Sequence, residues 1–192
     1  MKWGTRVTAV AATVLAGAGT VAAAGPPVHS TYPVTGTTHI AKPDVDLELG
    51  PGRFDMDTLI GPYTFTGTFT LPPVHVSRPL PGVGRVSGTV TFGPGHAEGS
   101  VFGGFSGSAT WAVALSDLRV NGRSYDVGPD CGTAEPLTTE LTSADFAEGT
   151  GGRLESTYAI GAFENCGSAT PLINAVVPGP GNTLTLDLAA AG

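Results

Sequence analysis

The sequence predicts an all-β fold, a single antiparallel β-sandwich or barrel of about nine or ten short strands carrying one disulfide. Three observations predict it. The 192 residues include 29 glycines and 16 prolines, nearly a quarter of the chain, and both residue types disfavour helix interiors. Apolar and polar residues alternate with period two in segment after segment. Charged residues are only 13% and apolar residues 41%, the reverse of the balance that keeps a chain disordered.

The first segment reads as an export signal. Lys2 and Arg6 precede an uncharged run from Val7 to Val21, and Ala22-Ala23-Ala24-Gly25 supplies the small residues suited to cleavage after Ala24. The run is shorter than the ~20 residues that cross a bilayer, so no stable membrane span is expected. A secreted, extracellular or envelope-associated domain would then cover 25–192, with 25–33 as an extended or disordered lead. Removing Lys2 and Arg6 from the nine basic residues leaves seven against sixteen acidic ones, a formal charge of −9. Phosphate backbones and anionic lipids bind clustered cations. The mature chain has no such cluster, and nucleic acid is therefore excluded as an expected partner.

The elements follow in order. Asp44-Val45-Asp46-Leu47-Glu48-Leu49 alternates carboxylate with aliphatic, the pattern of a half-buried strand. Gly50-Pro51-Gly52 reads as a break, after which Arg53 to Ile60 resumes with Phe54, Met56 and Thr58 on one face, so the two runs read as a hairpin or corner. Tyr63 to Leu71 is the cleanest strand, with Tyr63, Phe65, Phe69 and Leu71 opposite four threonines. Residues 77 to 84 read as turn-rich, Val86, Val90 and Phe92 mark a further strand, and Ser100 to Phe105 reads as a short irregular one. Ser108 to Val120 and Ser124 to Val127 flank Asn121-Gly122, a dipeptide suited to the positive φ angles of a type I′ hairpin turn. Leu137 to Leu141 and Leu154 to Ile160 read as strands around a polar 144–148 patch that could hold one helical turn. Pro171 to Val177 is ambiguous between helix and strand. Leu184, Leu186 and Leu188 close the chain as a strand with Thr183, Thr185 and Asp187 outward.

Cys131 and Cys166 are the two cysteines. In an oxidising compartment they have one intramolecular connectivity; free buried thiols or intermolecular pairing are the alternatives. No C-x-x-C and no neighbouring histidine points to redox or zinc chemistry. Asp44, Asp46, Glu48, Asp55 and Asp57 are candidate calcium ligands if their two runs pair and share a face, since clustered hard oxygens suit Ca²⁺. Two of them could also serve glycoside hydrolysis. The preferred reading is a charged sheet face that maintains solubility and discourages edge pairing. His29, His39, His75 and His96 show no metal-binding spacing, and Gly104-Phe105-Ser106-Gly107 lacks the spacing and following helix of a nucleophile elbow. No catalytic residue, metal site or cofactor is expected.

Thr31 to Lys42, Leu49-Gly50-Pro51-Gly52, Val120-Asn121-Gly122, Val127 to Cys131, Tyr158 to Gly167, Pro171-Leu172-Ile173-Asn174 and Pro178 to Leu186 together resemble a group of secreted actinobacterial proteins of unknown function. The resemblance implies export, an all-β domain and one disulfide, and it implies no activity. The expected function is thus a secreted non-catalytic β domain that contacts the cell envelope, a polysaccharide or a protein, with Tyr32, Phe105 and Tyr125 as its exposed aromatics. A secreted hydrolase with an unrecognised site is the alternative.

Overall fold

A computed structural model of the protein describes residues 25–192, and the expected export signal at 1–24 lies outside the described residues. The chain begins with three consecutive antiparallel strands, β1 (Val28–Ile40), β2 (Val45–Leu59) and β3 (Thr64–Thr70). It then leaves to form β4 (Val74–Leu80) and β5 (Gly84–Phe92), and returns for β6 (Gly95–Ser100) and β7 (Phe105–Trp111). A second excursion builds β8 (Val113–Val120), β9 (Arg123–Ser124) and β10 (Gly132–Thr133), before β11 (Leu137–Ser143) and β12 (Gly152–Ile160). A third carries β13 (Phe163–Glu164), a 3₁₀ turn at Gly167–Ala169 and helix α1 (Thr170–Val176), after which β14 (Gly179–Leu188) ends the fold.

The strands that stay behind close on themselves. β1, β14, β12, β11, β7, β6, β3 and β2 form an eight-stranded antiparallel barrel, and the three excursions build a second sheet ordered β13-β10-β8-β5-β4, with β9 on β8. The all-β reading holds, with eleven strands of six residues or more among the described residues where about nine or ten were expected. Proline and glycine mark several of the passages between the two layers, as at Pro72-Pro73, Gly93-Pro94 and Pro178-Gly179.

The barrel interior is filled by the predicted alternating rows. Phe54, Met56, Phe65, Phe69, Ala109, Trp111, Leu154, Leu184, Leu186 and Leu188 are all buried. The Phe54 ring stacks on Phe69 at 4.0 Å and meets Phe65 and Phe105 edge-on. One barrel end is plugged by Phe146, whose ring lies 5.7 Å from Tyr32 and 5.3 Å from Phe105. The loop that carries it is held by the Gly149 amide donating to the Tyr32 hydroxyl.

Several sequence expectations change. Gly50-Pro51-Gly52 is neither break nor corner: β2 runs through it, and β1 answers with a register shift between Val34 and Gly36. Two residues of β2 stand opposite one of β1, a β-bulge with Gly50 at φ 93°. The bulge moves the inward phase from Val45, Leu47 and Leu49 to Phe54, Met56 and Thr58. The lead expected over 25–33 is strand from Val28 onward, paired with β2.

β4 runs into the segment read as turn-rich, and β6 occupies residues that had no strand assignment up to Ser100. Pro79 is tolerated because β4 is a sheet edge. β6 buries only Gly95 and Ala97, residues with no strand signature of their own. Conversely, 101–104 is a loop with Phe102 exposed, and 144–148 forms no helical turn. Thr170–Val176 resolves as helix, with Pro171 in its first turn. Asn121-Gly122 is the two-residue turn expected, with φ angles of 52° and 79°, and it joins β8 to β9.

Candidate functional site

The five acids were expected on two neighbouring strands, but the bulge places Asp46, Glu48, Asp55 and Asp57 along one continuous strand, with Asp44 in the turn before it. Each aspartate already has a partner. His29 Nδ1 lies 2.8 Å from Asp57, and His39 lies 2.8 Å from Asp46 and 3.8 Å from Asp44. Arg53 pairs with Asp55 at 2.9 Å, and the Thr31 hydroxyl donates to the same carboxylate. These surface pairs cross from β1 to β2 or to the turn before it, or lie along β2, and each contributes little stability. Among the described residues no group of three or more His, Cys, Asp or Glu side chains is arranged to hold a metal ion.

The aromatic expectations also shift. Tyr32 and Phe105 are core residues at 0% and 2% exposure, and Tyr125 is half-buried. Among the described residues the exposed aromatics are Tyr63 and Phe102, which face each other at 5.7 Å on the β2–β3 and β6–β7 loops. Val28 and Ile60 are exposed at the same barrel end.

The opposite end of the barrel is built differently. There the second sheet and α1 cover the mouth, and three adjoining cavities lie beneath them. The outer cavity, of about 150 Å³, lies between the β1–β2 turn region, the face of β4, β5 and β8, and α1. A middle cavity of about 100 Å³ shares Ile40, Leu47, Val90, Leu115 and Val177 with it. An inner one of about 30 Å³ shares Thr38, Phe92, Val113, Leu137 and Tyr158 with the middle cavity and reaches Trp111 and Leu186 in the barrel.

The lining is hydrocarbon because of how each element alternates. β2 turns Val45 and Leu47 inward; β4 contributes Val76 and Leu80; β5 contributes Val86 and Val90; α1 and the residue after it contribute Ile173, Val176 and Val177. The helix is fixed in place by Asn174, whose side chain accepts from the Phe163 amide at 2.8 Å and donates to its carbonyl at 2.9 Å. The Cys131–Cys166 disulfide, with Cα atoms 4.4 Å apart, ties the helix-bearing excursion to the one carrying β8. On the barrel side, buried Asn182 accepts from the Ala41 amide and donates to the carbonyls of Tyr158 and Gly179.

Polar groups in the lining are few. In the middle and inner cavities the only polar side chains besides the Trp111 indole are Thr38 and Tyr158. The Thr38 hydroxyl donates to the Thr183 carbonyl at 2.8 Å, so its single proton is used, and the 2.6 Å contact must be the Tyr158 hydroxyl donating to Thr38. Burial pushes the Tyr158 phenol above its usual range, which keeps it neutral, while the contact with Thr38 acts in the opposite direction. The outer cavity adds Ser87 and Arg78. No nucleophile, base and orienting group meet in this lining; what it offers a molecule is desolvation.

No protein-family model matches the chain, and no curated protein and no solved structure is significantly similar to it. The sequence reading did not identify the cavities. Their signal was present in the apolar rows of the second sheet, the half-buried Val74, Val76, Val86, Val90 and Leu115 and the buried Leu118.

Proposed function

We propose that this chain is a secreted, non-catalytic β domain that holds a small, largely hydrocarbon molecule between the barrel mouth and the second sheet. The observation that carries this reading is the run of three adjoining cavities with an almost wholly apolar lining. Concave, mostly apolar sites with few polar groups are the usual form of small-molecule sites. The disulfide and the signal-like residues 1–24 support secretion.

Calorimetry with 1-octanol tests the reading. We expect saturable binding with a negative heat-capacity change, weakened at least about tenfold by Leu115→Phe, which fills the space shared by the outer and middle cavities. Heats of dilution alone from a folded protein would refute it.

Contact with an envelope polysaccharide or a protein is the second reading, and one observation favours it. Val28, Ile60, Tyr63 and Phe102 are the exposed large hydrophobic residues among those described, and all four lie at the barrel end far from the cavities. If that tip binds cell-wall fractions, Phe102→Ala should abolish co-sedimentation while leaving octanol binding unchanged. Equal retention of both proteins would exclude the tip.

A further inference from the structure

Charge in this acidic chain is unevenly distributed. No Asp or Glu occurs between Asp57 and Glu98, whereas Arg78 and Arg85 fall in that interval, on the β4–β5 hairpin. The hairpin is one wall of the outer cavity. Along β4 the side chains of Val74, Val76, Arg78 and Leu80 alternate onto one face, and Arg78 is the only charged member of that row. Arg78 is also the only exposed residue lining the outer cavity, so it marks the opening.

Its charge is not committed elsewhere. Arg53 and Arg153 each pair with an aspartate, but Arg78 has no salt bridge among the described residues. An arginine whose stem covers apolar surface while its head stays wet presents a planar, always-charged donor set to an anion at the edge of a hydrocarbon site. At the deep end the two hydroxyls satisfy each other and the Thr183 carbonyl, so that end presents no charge to an incoming molecule.

We propose that the ligand is a single-chain carboxylate, with its head on the Arg78 guanidinium and its tail running through the outer and middle cavities toward Tyr158. This rests on the apolar-ligand reading above and adds the charge, direction and length of the ligand. An engineered cavity of ~150 Å³ takes one benzene ring, so cavities of about 150 and 100 Å³ suit a tail of about ten carbons.

The test compares decanoate with 1-decanol, and hexanoate and octanoate with decanoate, by calorimetry at pH 7.5 and low salt. We expect binding to tighten about fourfold per methylene up to ten carbons. Arg78→Gln should weaken decanoate about threefold to fivefold, leave decanol unchanged, and lose its effect in high salt. Arg78→Lys should restore part of the loss, and Arg85→Gln should change little. Arg78 is exposed, so these variants retain the fold. Decanol binding with no response of decanoate to Arg78→Gln would overturn the carboxylate assignment and leave the apolar site standing. Failure of both ligands to bind would overturn both.

Discussion

Phe54→Ala is expected to lower the unfolding free energy by about 3–5 kcal/mol, the largest effect of any single truncation considered for this chain. The side chain is 0% exposed, stacks on Phe69 and meets Phe65, Phe105 and Tyr32, so its ring joins β1, β2, β3 and β7 inside the barrel. Removing it forfeits the transfer free energy of the ring and leaves a cavity that four other rigid rings cannot collapse to fill. Gly67 is directly beneath it: a Cβ there would lie 2.5 Å from the Phe54 ring, which shows how closely the strand approaches. Urea unfolding of the two proteins measures the difference. A loss below about 0.5 kcal/mol, the size expected of a surface substitution, would mean that the barrel does not pack as described.

Replacing both cysteines by alanine is expected to cost about 3–4 kcal/mol on the loop-closure model, since the bond spans a sequence separation of 35 residues. The sulfurs are buried with Leu118, Val127, Phe163, Ala169 and Ile173, so the cluster joining the second sheet to α1 loses packing as well. Because Ile173, Val176 and Val177 line the outer cavity, the same variant should bind octanol more weakly and should be cleaved by protease first within 161–178. Unchanged denaturation midpoints for the oxidised protein and the double variant would show that the second layer is held by its apolar cluster alone.

The sequence made the faces of the barrel strands legible and left their connectivity obscure. Alternation identified Phe65 and Phe69 against a threonine row, and Leu184, Leu186 and Leu188 against Thr183, Thr185 and Asp187, because a two-residue period survives whatever the strand pairs with. It failed where a glycine had two meanings. Gly50-Pro51-Gly52 looks like a turn and is a bulge; the odd spacing from Leu49 to Phe54, both buried, is the phase change that distinguishes the two. β6 was missed because its inward positions are Gly95 and Ala97, small enough to admit the Trp111 ring: a Cβ on Gly95 would fall 1.9 Å from the indole nitrogen. Ser108 to Val120 read as one strand because the passage from barrel to second sheet at Ala112 carries no breaker.

The candidate site was least legible of all, for a physical reason. Its lining comes from β1, β2, β4, β5, β8 and α1 and consists mainly of aliphatic side chains that a sequence reading assigns to core. What separates a core from a cavity is whether facing rows meet, and that depends on the second sheet standing over the barrel mouth, which no local spacing encodes. The acids, by contrast, stood out in sequence, yet they lie along the outer wall of β2 and the turn before it, and the four aspartates among them pair with histidine or arginine.

Whether the covered barrel end holds a hydrocarbon ligand is decided by methyl NMR. Protein labelled at Ile, Leu and Val methyls and titrated with 1-decanol should show saturable shifts at Ile40, Leu47, Val90, Leu115 and Ile173, with Val28 and Ile60 unmoved. Shifts confined to Val28 and Ile60, or no saturable shift at the cavity methyls, would contradict it.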